Sequence, residues 1–323
     1  MTRAGICLPT AATVTDKTGF AFGVAPETFG LGVGMRVARI VPVVLAVALV
    51  TACSSGGHKA GGAASTTGLP RIYWANNGGT TVGRANLGGT GVDNRFITGG
   101  KQPCGVAVDT EHVYWGDEGA GGVGRANRDG TGVTQRLVAS SAPRSTCGVA
   151  VDRAHIYWAN SEGTSIGRAN LDGTGVDNNF ITGAVAPCGV VVDARHVYWG
   201  NSLDNTVGRA NLDGSAVKQD FITGAKQPCL GALDGRHVYW SNYMGTTIGR
   251  AGLDGTGVNE DFITGANAPC GVAVDGTHVY WVNHAEAAAT VGTTLGRANL
   301  DGSGVNQSFI TGLPEPCGVA VGP

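Results

Sequence analysis

The stretch PCGVVVDARHVYWGN, from Pro187 to Asn201, recurs in closely similar form along most of the chain. All six tryptophans lie in the YW pair of this phrase, at positions 74, 115, 158, 199, 240 and 281. Successive tryptophans are therefore 41, 43, 41, 41 and 41 residues apart. Self-similarity at such a fixed period is the sequence signature of a repeat architecture. The chain thus contains six related copies of one structural unit.

Each unit contains four short runs that alternate with turn residues. In the unit that begins at Pro187 these are CGVVV (188–192), HVYWG (196–200), TVGRANL (206–212) and DFITG (220–224). The residues between them, such as D-A-R-H and L-D-G-S, are typical of tight turns. Glycine and proline interrupt any helical periodicity. Four short strands in about 40 residues, repeated, predict the blade of a β-propeller.

The two ends of the repeat indicate how the ring closes. The first unit begins at Ile72 with its second strand, and the last unit is followed by an unaccompanied first strand, PCGVAV at 316–321. Closing the ring with this strand would remove open sheet edges. We therefore predict an all-β fold, a six-bladed propeller over residues 70–323. Each blade has four antiparallel strands, and the C-terminal strand completes the first blade.

Composition narrows the function classes. The 323 residues carry a formal charge of −2, and 42% are hydrophobic. Near-neutral charge gives no electrostatic reason to expect a nucleic-acid partner. The hydrophobic content argues against disorder despite 55 glycines. No motif indicates a cofactor or a resident metal, and we expect a monomer.

The N-terminal region has the pattern of an export signal. Residues 35–52 combine Arg36 and Arg39 with a short apolar stretch and small residues before Cys53. These are the parts of a secretory signal, and the four residues ending at Cys53 resemble a bacterial lipobox, in which the cysteine is lipidated. An ordinary signal with an incidental cysteine is the alternative. Residues 1–34 are predicted to be a misassigned extension, and 53–69 a flexible Gly/Ser/Ala tether. We expect an extracytoplasmic protein, lipid-anchored to the bacterial cell membrane.

Residues 70–321 resemble two families of propeller repeat. The motif YW-[AGSV]-[ND] followed by GRANLDG is similar to the YWTD repeat of low-density-lipoprotein-receptor class B propellers, and PCGVAVD…HVYW is similar to the NHL repeat. The chain departs from YWTD in replacing the threonine, and mostly the aspartate. The resemblance implies a six-bladed fold and a binding role through loops that differ between members, and it does not identify a ligand.

Residues that occur once per unit are predicted to be structural. Alternation places Val197 and Trp199 on one face of their strand and Tyr198 on the other, so both faces can pack between blades. The Asp and His that flank the first turn, as in Asp193 and His196, are interpreted as a clip of the turn, with a metal or acid–base site as the alternative. The repeated strand-three arginines are expected to bind a carboxylate or a carbonyl. The D-G-T-G segments are interpreted as turns.

Six cysteines open the innermost strands and are predicted to form a ring near one mouth of the channel: Cys104, Cys147, Cys188, Cys229, Cys270 and Cys317. The sequence leaves three states open, namely buried thiols, disulfides, and a metal or redox site. An exported protein would normally oxidise exposed thiols. We expect neighbouring inner strands to be too far apart for a disulfide, which favours thiols.

Function is expected where the units differ, in the loops between strands two and three. We predict that these loops form a recognition face for a protein, a glycan or a cell-wall component. Its candidate residues are Asp117, Glu118, Glu162, Leu203, Asp204, Tyr243, Met244, His284 and Glu286. Loops that merely tolerate drift, in a scaffold without a ligand of its own, are one alternative. The other is a metal-dependent hydrolase, lactonase or lyase-like enzyme at the central channel. The inner strands offer mostly Cys, Gly, Val and Ala, which disfavours the enzyme and leads us to predict no catalytic residues.

Overall fold

The computed structural model describes residues 69–140, 146–243, 245–284 and 293–322. Cys53, Met244 and Glu286 lie outside these ranges, as do the predicted extension, the signal segment and nearly all of the tether. The described residues include no helix with the length and hydrophobicity that a membrane span requires. They form twenty-four strands in six four-stranded sheets, so the predicted propeller is confirmed.

We call the four strand positions of a blade a to d, from the channel outward. The a strands are β4 (Pro103–Val108), β8 (Thr146–Val151), β12 (Pro187–Val192), β16 (Pro228–Leu233), β20 (Pro269–Val274) and β24 (Pro316–Gly322). The b strands are β1 (Arg71–Asn76), β5 (His112–Asp117), β9 (His155–Asn160), β13 (His196–Asn201), β17 (His237–Asn242) and β21 (His278–Asn283). The c strands are β2 (Thr81–Asn86), β6 (Gly122–Asn127), β10 (Ser165–Asn170), β14 (Thr206–Asn211), β18 (Thr247–Gly252) and β22 (Thr294–Asn299). The d strands are β3 (Asp93–Thr98), β7 (Thr134–Ala139), β11 (Asp177–Thr182), β15 (Lys218–Thr223), β19 (Asn259–Thr264) and β23 (Asn306–Ile310).

The ring closes as the sequence predicts. Blade 1 consists of β24, β1, β2 and β3, whereas blades 2 to 6 each use four consecutive strands. Within blade 1, Trp74 lies opposite Val319 in an antiparallel pair. Blades that follow one another in sequence are therefore linked by the chain. Blade 6 is linked to blade 1 because β24, which follows blade 6 in the chain, pairs with β1.

The core consists of aromatic and branched side chains between blades. Val197 and Trp199 pack against Tyr157 of the preceding blade. Tyr198, on the opposite face of the same strand, packs with Val238 and Trp240 of the next. This confirms the alternation predicted for the YW pair, and it explains why both of its residues recur in every unit.

Candidate functional site

The propeller has two faces with different chemistry. One face, the hairpin face, carries the a–b turns and the c–d turns. The other, the loop face, carries the b–c loops, the cysteines and the d–a connections between blades. Backbone hydrogen bonds join the b–c loops to the d–a connections, since Gly119 N–H donates to Lys101 O over 2.7 Å and Gly100 N–H donates to Thr80 O over 3.0 Å.

On the hairpin face, Asp and His act as a clip. Asp193 Oδ1 accepts the backbone N–H groups of Arg195 and His196, both over 2.7 Å. Its Oδ2 accepts the Tyr198 hydroxyl over 3.0 Å, and His196 Nδ1 lies 3.7 Å from Oδ1. Burial, with the nearby Asp193 charge, raises the pKa of the Tyr198 phenol. The predicted turn clip is thus confirmed.

The clip recurs in five blades and is incomplete in the first. There, Gly322 occupies the place of the aspartate, and the Tyr73 hydroxyl has no partner among the described residues. Five of the six c–d turns of the same face are closed by their own aspartates, and the first has Gly88 at that position. Asp172 Oδ1, for example, accepts Thr174 N–H over 2.9 Å and Thr174 Oγ1–H over 2.6 Å, which confirms that the D-G-T-G segments are turns.

Four of the six repeated arginines donate a hydrogen bond to a carbonyl group of the next blade. Arg209 donates to Leu253 O of the next blade over 3.4 Å, and its Cζ lies 3.9 Å from the centre of the Phe221 ring. The partner is therefore one of the two classes that the sequence predicts, a carbonyl. The stacked phenylalanine comes from the FIT segment of strand d, a partner that the expectation of a carboxylate or a carbonyl did not include.

The central channel offers no acid–base group among the described residues that line it. Near the loop face, the cavity between the cysteines, glycines and valines of the a strands has a volume of about 40 Å³. Toward the hairpin face, the cavity is larger, with a volume of about 260 Å³, and is lined by valine, alanine, leucine and glycine. Because a strands are sheet edges, the polar atoms available in the channel are backbone groups. The described lining therefore supplies no acid or base for the hydrolase, lactonase or lyase alternative.

The expectation of buried thiols is wrong, because the six cysteines form three disulfides. The bridges join Cys104 to Cys147, Cys188 to Cys229, and Cys270 to Cys317. Their Cα–Cα distances are 4.9, 4.6 and 5.0 Å, within the range that a disulfide accepts.

Glycine explains why the a strands approach so closely. A Cβ on Gly271 would lie 2.7 Å from the Cys317 carbonyl oxygen, so only glycine allows this backbone approach. The inner strands are therefore closer together than repeat spacing alone predicts. Three disulfides in one domain indicate an oxidising, extracytoplasmic location.

A repeated polar network holds the variable loops of the loop face. Asn201, the last residue of β13, is buried and donates from Nδ2 to Thr206 Oγ1 over 3.1 Å and to Gln219 O over 2.8 Å. Its Oδ1 accepts Val185 N–H over 3.0 Å. This residue therefore fixes the b–c loop, the d strand and the d–a connection together. The recurrent Thr five residues after the Asn is the signal that could have revealed it.

A backbone hydrogen bond from the d–a connection also fixes the first residue of a b–c loop. Gln227 has a left-handed φ of 49° and its carbonyl accepts Tyr243 N–H over 3.2 Å. Ala268, with φ 43°, binds His284 N–H in the same way over 3.2 Å. Left-handed φ is costly for residues other than glycine, and in the sequence both positions are marked by the proline that follows them, Pro228 and Pro269. The result is that variable residues start from fixed backbone positions.

The structure brings most of the predicted rim residues to the loop face, but it separates them by exposure. Glu162 and Asp204 are exposed, and Leu203 is 69% exposed. Glu118 is partly buried and accepts a hydrogen bond from Asn77 Nδ2 over 3.2 Å. His284 is also partly buried, with Nδ1 3.1 Å from Pro316 O.

Two of the predicted residues face inward. Asp117 is buried at the position of Asn201 in its own blade, where its carboxylate accepts Lys101 N–H over 2.8 Å and Ala120 N–H over 3.0 Å. Burial raises the pKa of this carboxyl. Tyr243 packs against the buried cysteines at the channel mouth. Among the described candidate residues, the exposed ones therefore lie on the loops of blades 3 and 4.

Comparisons with known proteins agree with this architecture. No protein-family model and no curated protein matches the sequence. A chain of the nidogen/laminin complex superposes with a TM-score of 0.62 at 20% identity, covering 78% of this chain and 98% of that chain. A streptogramin B lyase superposes with a TM-score of 0.56 at 16% identity, covering 77% and 83% respectively. For a virginiamycin B lyase from Staphylococcus aureus the TM-score is 0.53 at 14% identity, with 75% and 84% covered.

These similarities define the class of protein. The chain is a β-propeller with six blades, whose fold is shared by a protein of a laminin complex and by lyases. At these identities the likeness concerns the fold alone.

Proposed function

We propose that this protein is an extracytoplasmic binding protein that recognises a protein, glycan or cell-envelope ligand through its loop face. The carrying observation is the side chain of Leu203, which is 69% exposed in a b–c loop beside the exposed Asp204. Within the part of the blades that the structure describes, the other exposed large apolar residues are valines of the c–d turns, all between 41% and 44% exposed. They repeat from blade to blade on the hairpin face, whereas Leu203 is the exposed large apolar side chain among the described residues of the b–c loops.

The position of the chain ends supports this assignment. Arg71, where the first strand begins, lies opposite Gly322 on the hairpin face. The segment upstream of Arg71, which would carry a lipid on Cys53, therefore joins the propeller at that face. The loop face would then remain accessible to a ligand. Incorporation of labelled palmitate into the wild type and its loss in Cys53→Ser would test the anchor separately.

A photocrosslinking experiment in the native envelope tests the recognition face. Benzoylphenylalanine is placed in the full chain at position 203, or at the matched position 217, where Val217 is 41% exposed on the hairpin face of the same blade. We expect an adduct from position 203 that Asp204→Ser together with Glu162→Ser weakens at least several-fold. Equal adducts from both positions, or none from position 203, would overturn the proposal and favour a scaffold without a ligand.

A further inference from the structure

Two of the three disulfides touch each other. Cys104 Sγ lies 3.6 Å from Cys317 Sγ, although Cys104 is bonded to Cys147 and Cys317 to Cys270. The sulfurs of Cys104, Cys147 and Cys317 all lie within 4.8 Å of one another. Such a contact between sulfurs of different bridges is the arrangement from which thiol–disulfide exchange starts.

The propeller places every cysteine between two others. Each is the second residue of an a strand, and six a strands surround the channel. The ring therefore has a second complete pairing, in which Cys147 bonds Cys188, Cys229 bonds Cys270, and Cys317 bonds Cys104.

The boundaries without a bridge are closely packed as well. A Cβ on Gly318 would lie 2.7 Å from Gly105 Cα, and one on Gly148 would lie 2.8 Å from Gly189 N. At the third such boundary, a Cβ on Gly231 would lie 2.6 Å from Val272 N. These close backbone approaches put the cysteines of unbridged blades within reach of one another.

Access to the ring is uneven. Cys188 is partly exposed, whereas the other five cysteines are only 4% to 9% exposed. Tyr243 packs against the cluster of Cys104, Cys147, Cys270 and Cys317. An external thiol can thus reach the bridge between Cys188 and Cys229 more readily than the two covered bridges.

We propose that the six cysteines form a thiol–disulfide exchange site, in which a reduced pair moves around the ring by exchange between neighbours. Its substrate class is a dithiol, which reduces the Cys188–Cys229 bridge and becomes a disulfide itself. The Cys188 thiolate then attacks Cys147 Sγ, the Cys104–Cys147 bond breaks, and its electron pair leaves on Cys104.

The next step uses the observed sulfur contact. The Cys104 thiolate attacks Cys317 Sγ, and the electron pair of the broken Cys270–Cys317 bond leaves on Cys270. The two thiols are then Cys229 and Cys270, which are neighbours. A reduction that enters at the exposed bridge thereby reaches a cysteine covered by Tyr243, with no further oxidant or reductant consumed.

Two single variants of the full chain test this exchange without an added reductant. Cys270→Ser leaves Cys317 unpaired, and Cys147→Ser leaves Cys104 unpaired, so each variant places a thiol on one side of the same 3.6 Å contact. Both are quenched in acid, unfolded, alkylated with excess N-ethylmaleimide and mapped by peptide mass spectrometry.

Exchange restricted to neighbours predicts an alternating pattern of alkylation. In Cys270→Ser the label is expected on Cys317, Cys147 and Cys229, with Cys147 carrying a share comparable to that of Cys317. In Cys147→Ser it is expected on the complementary set, Cys104, Cys270 and Cys188. Label confined to Cys317 in the first variant and to Cys104 in the second would show fixed bridges and overturn the proposal. Label on Cys104 or Cys188 in Cys270→Ser would also overturn it, since neighbour exchange cannot leave those positions free.

Discussion

Tyr239 donates a 2.7 Å hydrogen bond to Oδ2 of Asp234, the same oxygen that lies 3.0 Å from His237 Nδ1. In the four other complete clips the shortest distance from the histidine Nδ1 to its aspartate is 3.6 or 3.7 Å. Blade 5 therefore has the tightest clip. Burial raises the pKa of Asp234, but the hydrogen bonds from His237, Tyr239 and two backbone amides outweigh it and lower the pKa to about 2.

This carboxylate should make stability depend on pH in acid. A pKa lower in the folded than in the unfolded chain stabilises the fold above the unfolded value, and that stabilisation is lost as pH falls through about 2. We expect Asp234→Asn to lower the free energy of unfolding by about 2 kcal/mol at pH 7, and the difference from wild type to shrink between pH 4 and pH 2. Denaturation at a series of pH values measures it. Asp204→Asn, which alters an exposed loop carboxylate, controls for net charge, and a constant difference across that pH range would contradict the prediction.

Close packing of tryptophan on glycine should make strand c intolerant of a single methyl group. Gly208 pairs with Trp199 across β13 and β14, and a Cβ there would lie 2.5 Å from Trp199 Cζ2. We expect Gly208→Ala to lower the free energy of unfolding by about 1–3 kcal/mol through overpacking. Gly276→Ala is the matched control, because a Cβ at Gly276 meets no atom within 4 Å. Equal denaturation midpoints for the two variants would contradict the prediction, because they would show that the Trp199 indole can move aside without a loss of stability.

Sequence periodicity was sufficient to predict the six blades, the closing strand and both faces of the YW pair, because these depend on repeat spacing and alternation. The disulfides could not be predicted from it. Their formation depends on how closely the a strands approach, and that distance is fixed by glycine contacts such as Gly271 against Cys317 O. Similarly, Asp117 was predicted to be a rim acid although it takes the repeated Asn/Asp position of the YW motif, and the fold shows it buried beneath its own loop. Sequence variation between the repeats thus predicts which face of the propeller carries a binding site, whereas the exposure of each side chain decides which residues can contact a ligand.

Blade 2 lacks the aromatic partner of its arginine, which allows a reciprocal test of the stacking. Leu137 of β7 takes the place that Phe221 has in β15, while Arg125 still donates to Leu171 O over 2.9 Å. We expect Leu137→Phe to raise the free energy of unfolding by about 0.5–1 kcal/mol, since it adds a cation–π contact. Phe221→Leu should lower it by a similar amount or more. Chemical denaturation of both variants measures the effect, and an unchanged or lower stability for Leu137→Phe would contradict a stabilising role of the stacking.

The bridge between Cys270 and Cys317 should hold the ring closed. It joins β20 of the last blade to β24, the strand that completes the first blade from the other end of the chain. Without it, β24 is retained on β1 by the sheet ladder and packing alone, so local opening becomes easier. We expect Cys270→Ser/Cys317→Ser to accelerate amide hydrogen exchange in β24 and β1 at least ~10-fold, which corresponds to about 1.4 kcal/mol. Cys188→Ser/Cys229→Ser is the matched control, because its bridge spans a similar 41 residues, against 47, between blades that the chain already connects in order. If both double variants protect β24 equally, closure rests on strand pairing rather than on the bridge.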